Sequence, residues 1–508
     1  LTNILICIFV YFYMEKLKQK RFVIAGAGIG GLATAVRLAA RGHSVTVVEQ
    51  NDRPGGKMGE IRREGFRFDT GPSLFTLPEM VDELLAIGNT EQNVPFRYKK
   101  LSASCRYFFE DGTQINAMND PGEFAREITM QTGEPPEHVI HYLEDAARLY
   151  RASAGLFIFN ARKRLFQTAL KEKPSRLFPL LKVNPLRTMH EENRRRFRSP
   201  HVIQLFDRYA TYNGSSPYLT PSMLTVIAHL EHNTGAYFPE KGMYSIAQAI
   251  YKKALSLGVD FRLGCKVTGI NTRKRQVTGV ETTQGTFPCD ALISDIDVNM
   301  FYRQAGKKLK RPHSVKHPRL SSSALIFYWG MNTTFPQLDM HNILFSVQYT
   351  EEFTSLFKKK EPFTDPTVYI FVSSKTVNED APPGKENWFV MINVPPLAGS
   401  EFPPDLVERA RGYIISKIKR VLHIDPSPHI LFEERTTPQT LQEFTGSYKG
   451  ALYGNSSNSI WSAFLRHPNR SATYPNLYFT GGSVHPGGGI PLCLASAAIV
   501  ENEMEKAQ

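Results

Sequence analysis

The chain first becomes regular at Arg21, where the apolar-rich run RFVIA reads as a buried strand. It passes into Gly26-Ala27-Gly28-Ile29-Gly30-Gly31, and the following LATAVRLAARG carries the spacing of a helix with little polar face. A second strand-like run, SVTVVE, starts at Ser44 and ends in Glu49, 23 residues after Gly26. Strand, glycine turn, helix, strand and terminal acid in this order predict a Rossmann-like nucleotide-binding unit of the α/β class. Gly26 would allow the tight turn, Gly28 the approach of backbone to a pyrophosphate, and Gly31 close helix–strand packing. The loop from Gly26 through Ala27, Gly28, Gly30 and Gly31 then offers the N–H groups of a helix start to an anion, and Glu49 takes ribose hydroxyls.

The residues beyond this unit separate FAD from NAD. After Glu49 come Gln50 and, a few residues on, Gly55-Gly56-Lys57, then an extended segment ending in Phe68-Asp69-Thr70-Gly71-Pro72-Ser73. A second glycine pair is superfluous for a unit that holds NAD alone, but it suits a cofactor whose pyrophosphate and ribityl chain cover more backbone. No second complete fingerprint occurs later in the chain, so the flavin would be reoxidised without an NAD(P)H domain. From Val259 to Asp295 the pattern is one of short strands between turns, and Leu477–Phe479 reads as another strand. It leads into Thr480-Gly481-Gly482-Ser483-Val484-His485-Pro486-Gly487-Gly488-Gly489-Ile490-Pro491 and an apolar helix, LCLASAAIV. Glycines ahead of a helix again present backbone donors to an anion or ring edge. A glycine loop that merely packs tightly would look the same.

Composition bounds these readings. With 508 residues, 42% of them hydrophobic and only 21% charged, the chain has material for a large core and is not disordered. Its five cysteines lack any CxxC spacing, which argues against a zinc ribbon or disulfide scaffold and favours a reducing cytoplasm; no metal site is expected. The net charge of +13 is local: residues 162–198 hold twelve Lys/Arg and three acids, and residues 303–319 seven Lys/Arg and no acid. In the first segment the charges alternate with large apolar residues, the pattern of an element lying on anionic lipid; no nucleic-acid motif accompanies it. A solvated helix face over a buried stripe is the bland alternative. The apolar run Ile4–Tyr13 is about half of a bilayer crossing. Residues 1–13 are read as upstream translation before Met14 or, alternatively, as a short interfacial segment.

The stretches GAGIGGLATAVRLAARGHSVTVVEQNDRPGGK, FDTGPSLF and NLYFTGGSVHPGGGIP together resemble the bacterial carotenoid desaturases of the phytoene-desaturase type, within the flavin amine-oxidase-like superfamily. Within that group RYATYNGSSPY (Arg208–Tyr218), the segment Met223–Glu231, Lys241–Tyr244 and HPGGGIPLCL (His485–Leu494) are similar to the 1-hydroxycarotenoid 3,4-desaturases and methoxyneurosporene dehydrogenases; phytoene desaturases more often read HPGAGIP. The resemblance implies a discontinuous FAD-binding domain (14–78, 236–305, 440–508) interleaved with an α+β substrate domain (79–235, 306–439). It places the backbone of Val267 at the adenine, Asp295 closing over that end, and Gly481, Gly482, Gly489, Ile490 and Pro491 at the cofactor. Lys57 stands where the superfamily commonly has Arg, which puts its phosphate contact in doubt.

The implied reaction desaturates an acyclic carotenoid, with hydride passing to flavin and a proton lost from the neighbouring carbon. Glu231 or His485 is the candidate proton acceptor or cation stabiliser, although a Glu at a helix end often only caps or pairs, and His485 could simply hold the glycine loop. The apolar substrate partitions into membrane, which gives the basic segment a docking purpose and predicts a cytoplasmic, peripherally membrane-associated enzyme. Oxygen or a quinone as electron acceptor stays open. Rival readings are a phytoene or diapophytoene desaturase, an amine oxidase, and a non-enzymatic prenyl-protein escort of the GDI type without flavin.

Overall fold

The computed structural model describes residues 19–88, 95–161, 184, 187–305 and 309–506. The apolar run Ile4–Tyr13, Met14, most of the first basic segment (162–183) and Lys307 and Lys308 of the second lie outside the described residues.

A five-stranded parallel sheet has the order Leu477–Phe479, Ala291–Ser294, Arg21–Ala25, Ser44–Val48, Asp260–Arg262. Its strands are short, and all but the edge strand Asp260–Arg262 are largely apolar because both faces are covered. The helix Ile29–Ala40 packs between the C-terminal helix Ile490–Glu505 and the helix Tyr244–Ser256, and is buried along almost its whole length. Its Gly30 and Gly31 leave no room for a Cβ, which would meet the Gly481 backbone and the Gly26 carbonyl. Beside this sheet, Val267–Arg273, Gln276–Thr282 and Gly285–Pro288 form a three-stranded antiparallel sheet.

The second large sheet has seven strands, in the order Ile430–Thr436, Ser323–Met331, Glu386–Val394, Val368–Phe371, His341–Leu344, Ala103–Phe108, Gln114–Met118. All pairs are antiparallel except His341–Leu344 with Ala103–Phe108. Ser323–Met331 reads SALIFYWGM and is buried at every position, since the alternate faces of a strand enter different cores. Ala324, Ile326 and Tyr328 join the core that holds the glycine-loop helix, while Leu325, Phe327 and Trp329 face the helix Pro404–Leu422. At roughly 25 cal/mol per Å² of apolar surface removed from water, such two-sided burial supplies most of the cohesion between the layers. A third core, carrying Phe124, Tyr142 and Phe206, lies under the helices Pro121–Thr132, Pro136–Phe157 and Pro200–Asp207.

The strands of the parallel sheet thus come from residues 21–48, 260–294 and 477–479, and those of the seven-stranded sheet from 103–118 and 323–436. No described helix is long and apolar enough to cross a membrane.

Candidate functional site

A cavity of about 1030 Å³ runs from the glycine loop to the seven-stranded sheet, at the upper end of the range for small-molecule sites. Gly26, Gly28, Gly30, Glu49, Gln50, Gly55, Gly56, Lys57, Gly71, Pro72, Ser73, Val267, Asp295, Gly482, Gly489, Ile490 and Pro491 line it, together with Glu231 and His485. Of the residues singled out in the sequence, Ala27, Gly31 and Gly481 lie behind this wall and shape it.

The cradle end is backbone held against backbone. Gly55 N–H donates to the Ala27 carbonyl at 2.8 Å, so the second glycine pair is fastened to the first motif. A Cβ at Gly30 would stand 2.6 Å from the Gly481 nitrogen, and one at Gly31 would run into the Gly26 carbonyl oxygen. Glu49 accepts from Ala27 N–H at 2.7 Å and Asn51 N–H at 2.9 Å, with burial pushing its pKa up and these bonds opposing the push. The next segment is tied in as well, because Cys265 N–H donates to the Glu49 carbonyl at 2.7 Å, two residues before Val267. Asp69 accepts the Met243 and Tyr244 N–H groups at 2.9 Å each and pairs with buried Arg67, which sets the following Gly71-Pro72-Ser73 against the cavity. The helix Ile29–Ala40 has no side-chain cap at Gly28 and no acid in its first turn. A backbone-lined cradle, a second glycine pair and a carboxylate at the strand end fit a dinucleotide with an extended further portion.

Two cradle residues are engaged by the protein's own groups. The Asp295 carboxylate lies over the glycine loop, where the Gly28 and Gly31 N–H groups donate to it, at the pyrophosphate end of the expected site. Burial lifts its pKa to about 7, while these N–H groups and Lys57 pull it down. The Lys57 ammonium donates to the Leu452 carbonyl. Burial lowers its pKa, and Asp297 and Asp295 oppose the shift.

At the other end, Glu231 is 1% exposed and its carboxylate is saturated. It accepts from Ser104 Oγ at 2.8 Å, Tyr209 Oη at 3.2 Å, Arg208 at 3.4 Å and Tyr212 Oη. Arg208 in turn lies 5.0–5.1 Å from the ring centres of Tyr107, Tyr209 and Tyr212. Burial pushes the Glu231 pKa upward, but Arg208, His232 and the hydroxyl donors outweigh it and leave the pKa lowered. A carboxylate stabilised by four donors has less affinity for a proton than an ordinary one. His485 is also engaged, its Nε2–H donating to the Asn160 carbonyl at 2.9 Å while its own carbonyl accepts from Asn469 and Ser496. It holds the glycine-rich loop against the end of the helix Pro136–Phe157.

Sequence reasoning missed Arg208, Ser104, His341 and Tyr369 as wall residues. His341 stacks on Phe371 at 5.0 Å and 10°. Tyr369 Oη lies 2.7 Å from His341 Nδ1 and 2.6 Å from Ser73 Oγ. Isolated polar residues in apolar strands carry no local signal of this convergence. Between the two ends the wall is apolar, with Met223, Leu224, Val226, Ile227, Leu230 and Phe353. Among the described residues no group of His, Cys, Asp and Glu is placed to hold a metal.

Residues 29–500 match the family described as flavin containing amine oxidoreductase. The chain is 45% identical over 483 residues to a 1-hydroxycarotenoid 3,4-desaturase from a Flavobacterium species, covering 95% of this chain and 98% of that one. It is 30% identical over 493 residues to a 4,4'-diaponeurosporene oxygenase of Staphylococcus aureus, covering 96% and 98%. Among solved structures, putrescine oxidase with bound putrescine superposes with a TM-score of 0.60 at 13% identity, covering 96% of this chain and 98% of that one, a likeness of fold.

Proposed function

The chain belongs to the flavin-containing amine oxidoreductase family, and on that premise we propose that it is an FAD-dependent desaturase that introduces the 3,4 double bond of an acyclic 1-hydroxycarotenoid. The observation that carries this reading is the near full-length 45% identity to a desaturase of that name. The continuous cavity agrees with it: a backbone cradle for FAD opens into an apolar chamber suited to a long hydrocarbon. Gly28, Gly30 and the Gly55-Gly56 pair would receive the pyrophosphate and ribityl chain, Glu49 the ribose, and Gly71–Ser73 with Gly482 and Gly489–Pro491 the ring.

Bound FAD supplies two-electron oxidation of a C–C bond, so one hydrogen leaves the substrate as hydride and its neighbour as a proton. The protein holds the polyene end in place and excludes water, and the conjugated chain spreads the charge that develops. Glu231 and Arg208 form a neutral, ordered pair in the wall.

Exposed aromatic residues next to the cavity wall support docking on a membrane that stores the substrate. Phe157 and Phe464 line the cavity in contact, with ring centres 5.0 Å apart, and Phe159 and Trp461, two and three residues along the chain from them, are 42% and 73% exposed. Aromatic residues at such a position suit a lipid interface. Basic residues of the second charged segment, Lys310, Arg311, Lys316 and Arg319, are exposed. In the first segment Arg187 and Arg196 are paired with Glu192.

The test is expression in hosts that accumulate different acyclic carotenoids, followed by pigment chromatography. Conversion of a 1-hydroxylated precursor to a product two hydrogens poorer supports the reading. Consumption of phytoene or diapophytoene alone would move the enzyme to the early branch, and purified protein without flavin absorbance would refute it.

A further inference from the structure

We propose that His341 recognises the substrate's hydroxyl group and makes the enzyme selective for hydroxylated over unhydroxylated carotenoid chains; this rests on the desaturase reading above. His341 begins the strand His341–Leu344, is 3% exposed, and belongs to the wall of the cavity. Its ring is clamped against Phe371 and lies parallel to Tyr369, with centroids 6.2 Å apart at 11°. One ring nitrogen is committed, since Nδ1 is 2.7 Å from Tyr369 Oη. The other, Nε2, has no hydrogen-bond partner among the described residues. On the same wall Tyr349 Oη and Arg208 Nε also have no partner among the described residues, so this is a local surplus of polar groups in an apolar chamber.

The hydrogen-bond chain Ser73, Tyr369, His341 can run in either direction. If Tyr369 donates to Nδ1, Nε2 carries the proton and donates; if Nδ1–H donates to Tyr369, Nε2 accepts. A hydroxyl answers both cases, because it both donates and accepts. A hydrocarbon end answers neither and leaves a buried imidazole nitrogen unpaired, which a site pays for in selectivity.

Position supports the same assignment. In a 1-hydroxycarotenoid desaturated between carbons 3 and 4, the hydroxyl-bearing carbon is two C–C bonds from the nearer reacting carbon, about 2.5 Å at ordinary bond lengths. The recognising group therefore belongs near the reacting edge of the cofactor, not at the far end of the tunnel. His341 is two hydrogen bonds from Ser73, in the segment assigned to the flavin ring.

The test uses the FAD-loaded enzyme with an acyclic 1-hydroxycarotenoid and the same chain lacking the hydroxyl. It compares wild type with His341→Phe, which keeps the stacked ring, and Tyr369→Phe, which breaks the chain to Ser73. Wild type should prefer the hydroxylated chain. His341→Phe should lower its kcat/KM about 10- to 100-fold while changing that of the unhydroxylated chain by less than about threefold. Tyr369→Phe should reduce the preference less. Flavin absorbance and Tm report whether each variant is folded. An unchanged preference in both variants, or an equal loss on both chains in folded protein, overturns the role of His341 and leaves the desaturase reading standing. A wild type that acts only on the unhydroxylated chain, or on neither, overturns both.

Discussion

The end of the cavity around Gly26–Gly31 is made of main chain, whereas the end around Glu231 and His341 is made of side chains from distant segments. In the cradle, glycines bring Gly55 to Ala27 and Gly30 to Gly481 through backbone approach alone. In the wall, Ser104, Arg208, Glu231, His341 and Tyr369 arrive from three strands and two helical segments. A main-chain site tolerates variation in side chains but no added volume. A side-chain site depends on partnership, because each buried polar group must find another.

The sharpest way to break that contrast is to remove one partner from the wall. Glu231→Gln keeps the shape but leaves the Arg208 guanidinium buried among three tyrosines without its anion. Unpairing a buried charge costs about 3–5 kcal/mol, so denaturant unfolding should show a loss of that order. Replacing both residues with apolar ones, Arg208→Met with Glu231→Leu, should recover most of it. If the single variant costs less than about 1 kcal/mol, the pair is not what organises this wall.

Next in size is a pH effect in the cradle. Asp295 is raised from 3.8 to about 7 by burial, so its protonated form is favoured in the folded protein. The stability it confers is complete below about pH 4 and is lost as pH rises to about 7, by up to roughly 4 kcal/mol. Once ionised it also faces the expected pyrophosphate, so FAD affinity should fall over the same interval. Asp295→Asn should flatten both profiles, which urea melts and flavin titrations from about pH 5 to 8 would read. In the wall, Glu352, also raised to about 7 and bonded to Thr367 N–H and Oγ, should affect stability but not flavin affinity.

The contrast also governs what the chain reveals before it folds. RFVIA, the Gly26–Gly31 turn, SVTVVE and the glycine loop before the C-terminal helix are contiguous, so their physics is written in order along the chain. Their strands lie where the hydrophobic pattern places them, within a residue, while the helix Ile29–Ala40 starts three residues before the expected run and Ile490–Glu505 ends five residues beyond it. The wall has no such script. Glu231 stands out as an acid near a helix end, but its pairing with Arg208, 23 residues away, and with Ser104, 127 residues away, is created by folding. The orientation of Asp295 is equally hidden, because a strand end specifies where a residue lies and not which loop its carboxylate meets.

A smaller change should separate main-chain from side-chain construction. Gly31→Ala adds one methyl, which would press on the Gly26 carbonyl. Overpacking of this kind costs about 1–3 kcal/mol, and the displaced loop should lose flavin, seen as a fall in absorbance per protein. Ser104→Ala in the wall removes one hydroxyl from Glu231 and should cost about 1 kcal/mol with flavin content unchanged.

The mildest effect is expected on the exposed surface beside the cavity wall, where neither kind of construction applies. Trp461 is 73% exposed on the short helix Ile460–Phe464, beside wall residues Ala463 and Phe464. No hydrogen bond or ring contact among the described residues involves its indole, so Trp461→Ser should leave Tm and flavin content unchanged. If this surface docks on lipid, however, the indole exchanges water for the interface, and its loss should weaken partitioning to vesicles containing anionic lipid by about five- to tenfold. Activity on carotenoid delivered in those vesicles should fall with it, while activity on detergent-dispersed carotenoid should not. Equal partitioning of the two proteins would remove Trp461 from the docking surface and leave any attraction to the exposed basic residues alone, which raising the salt would abolish.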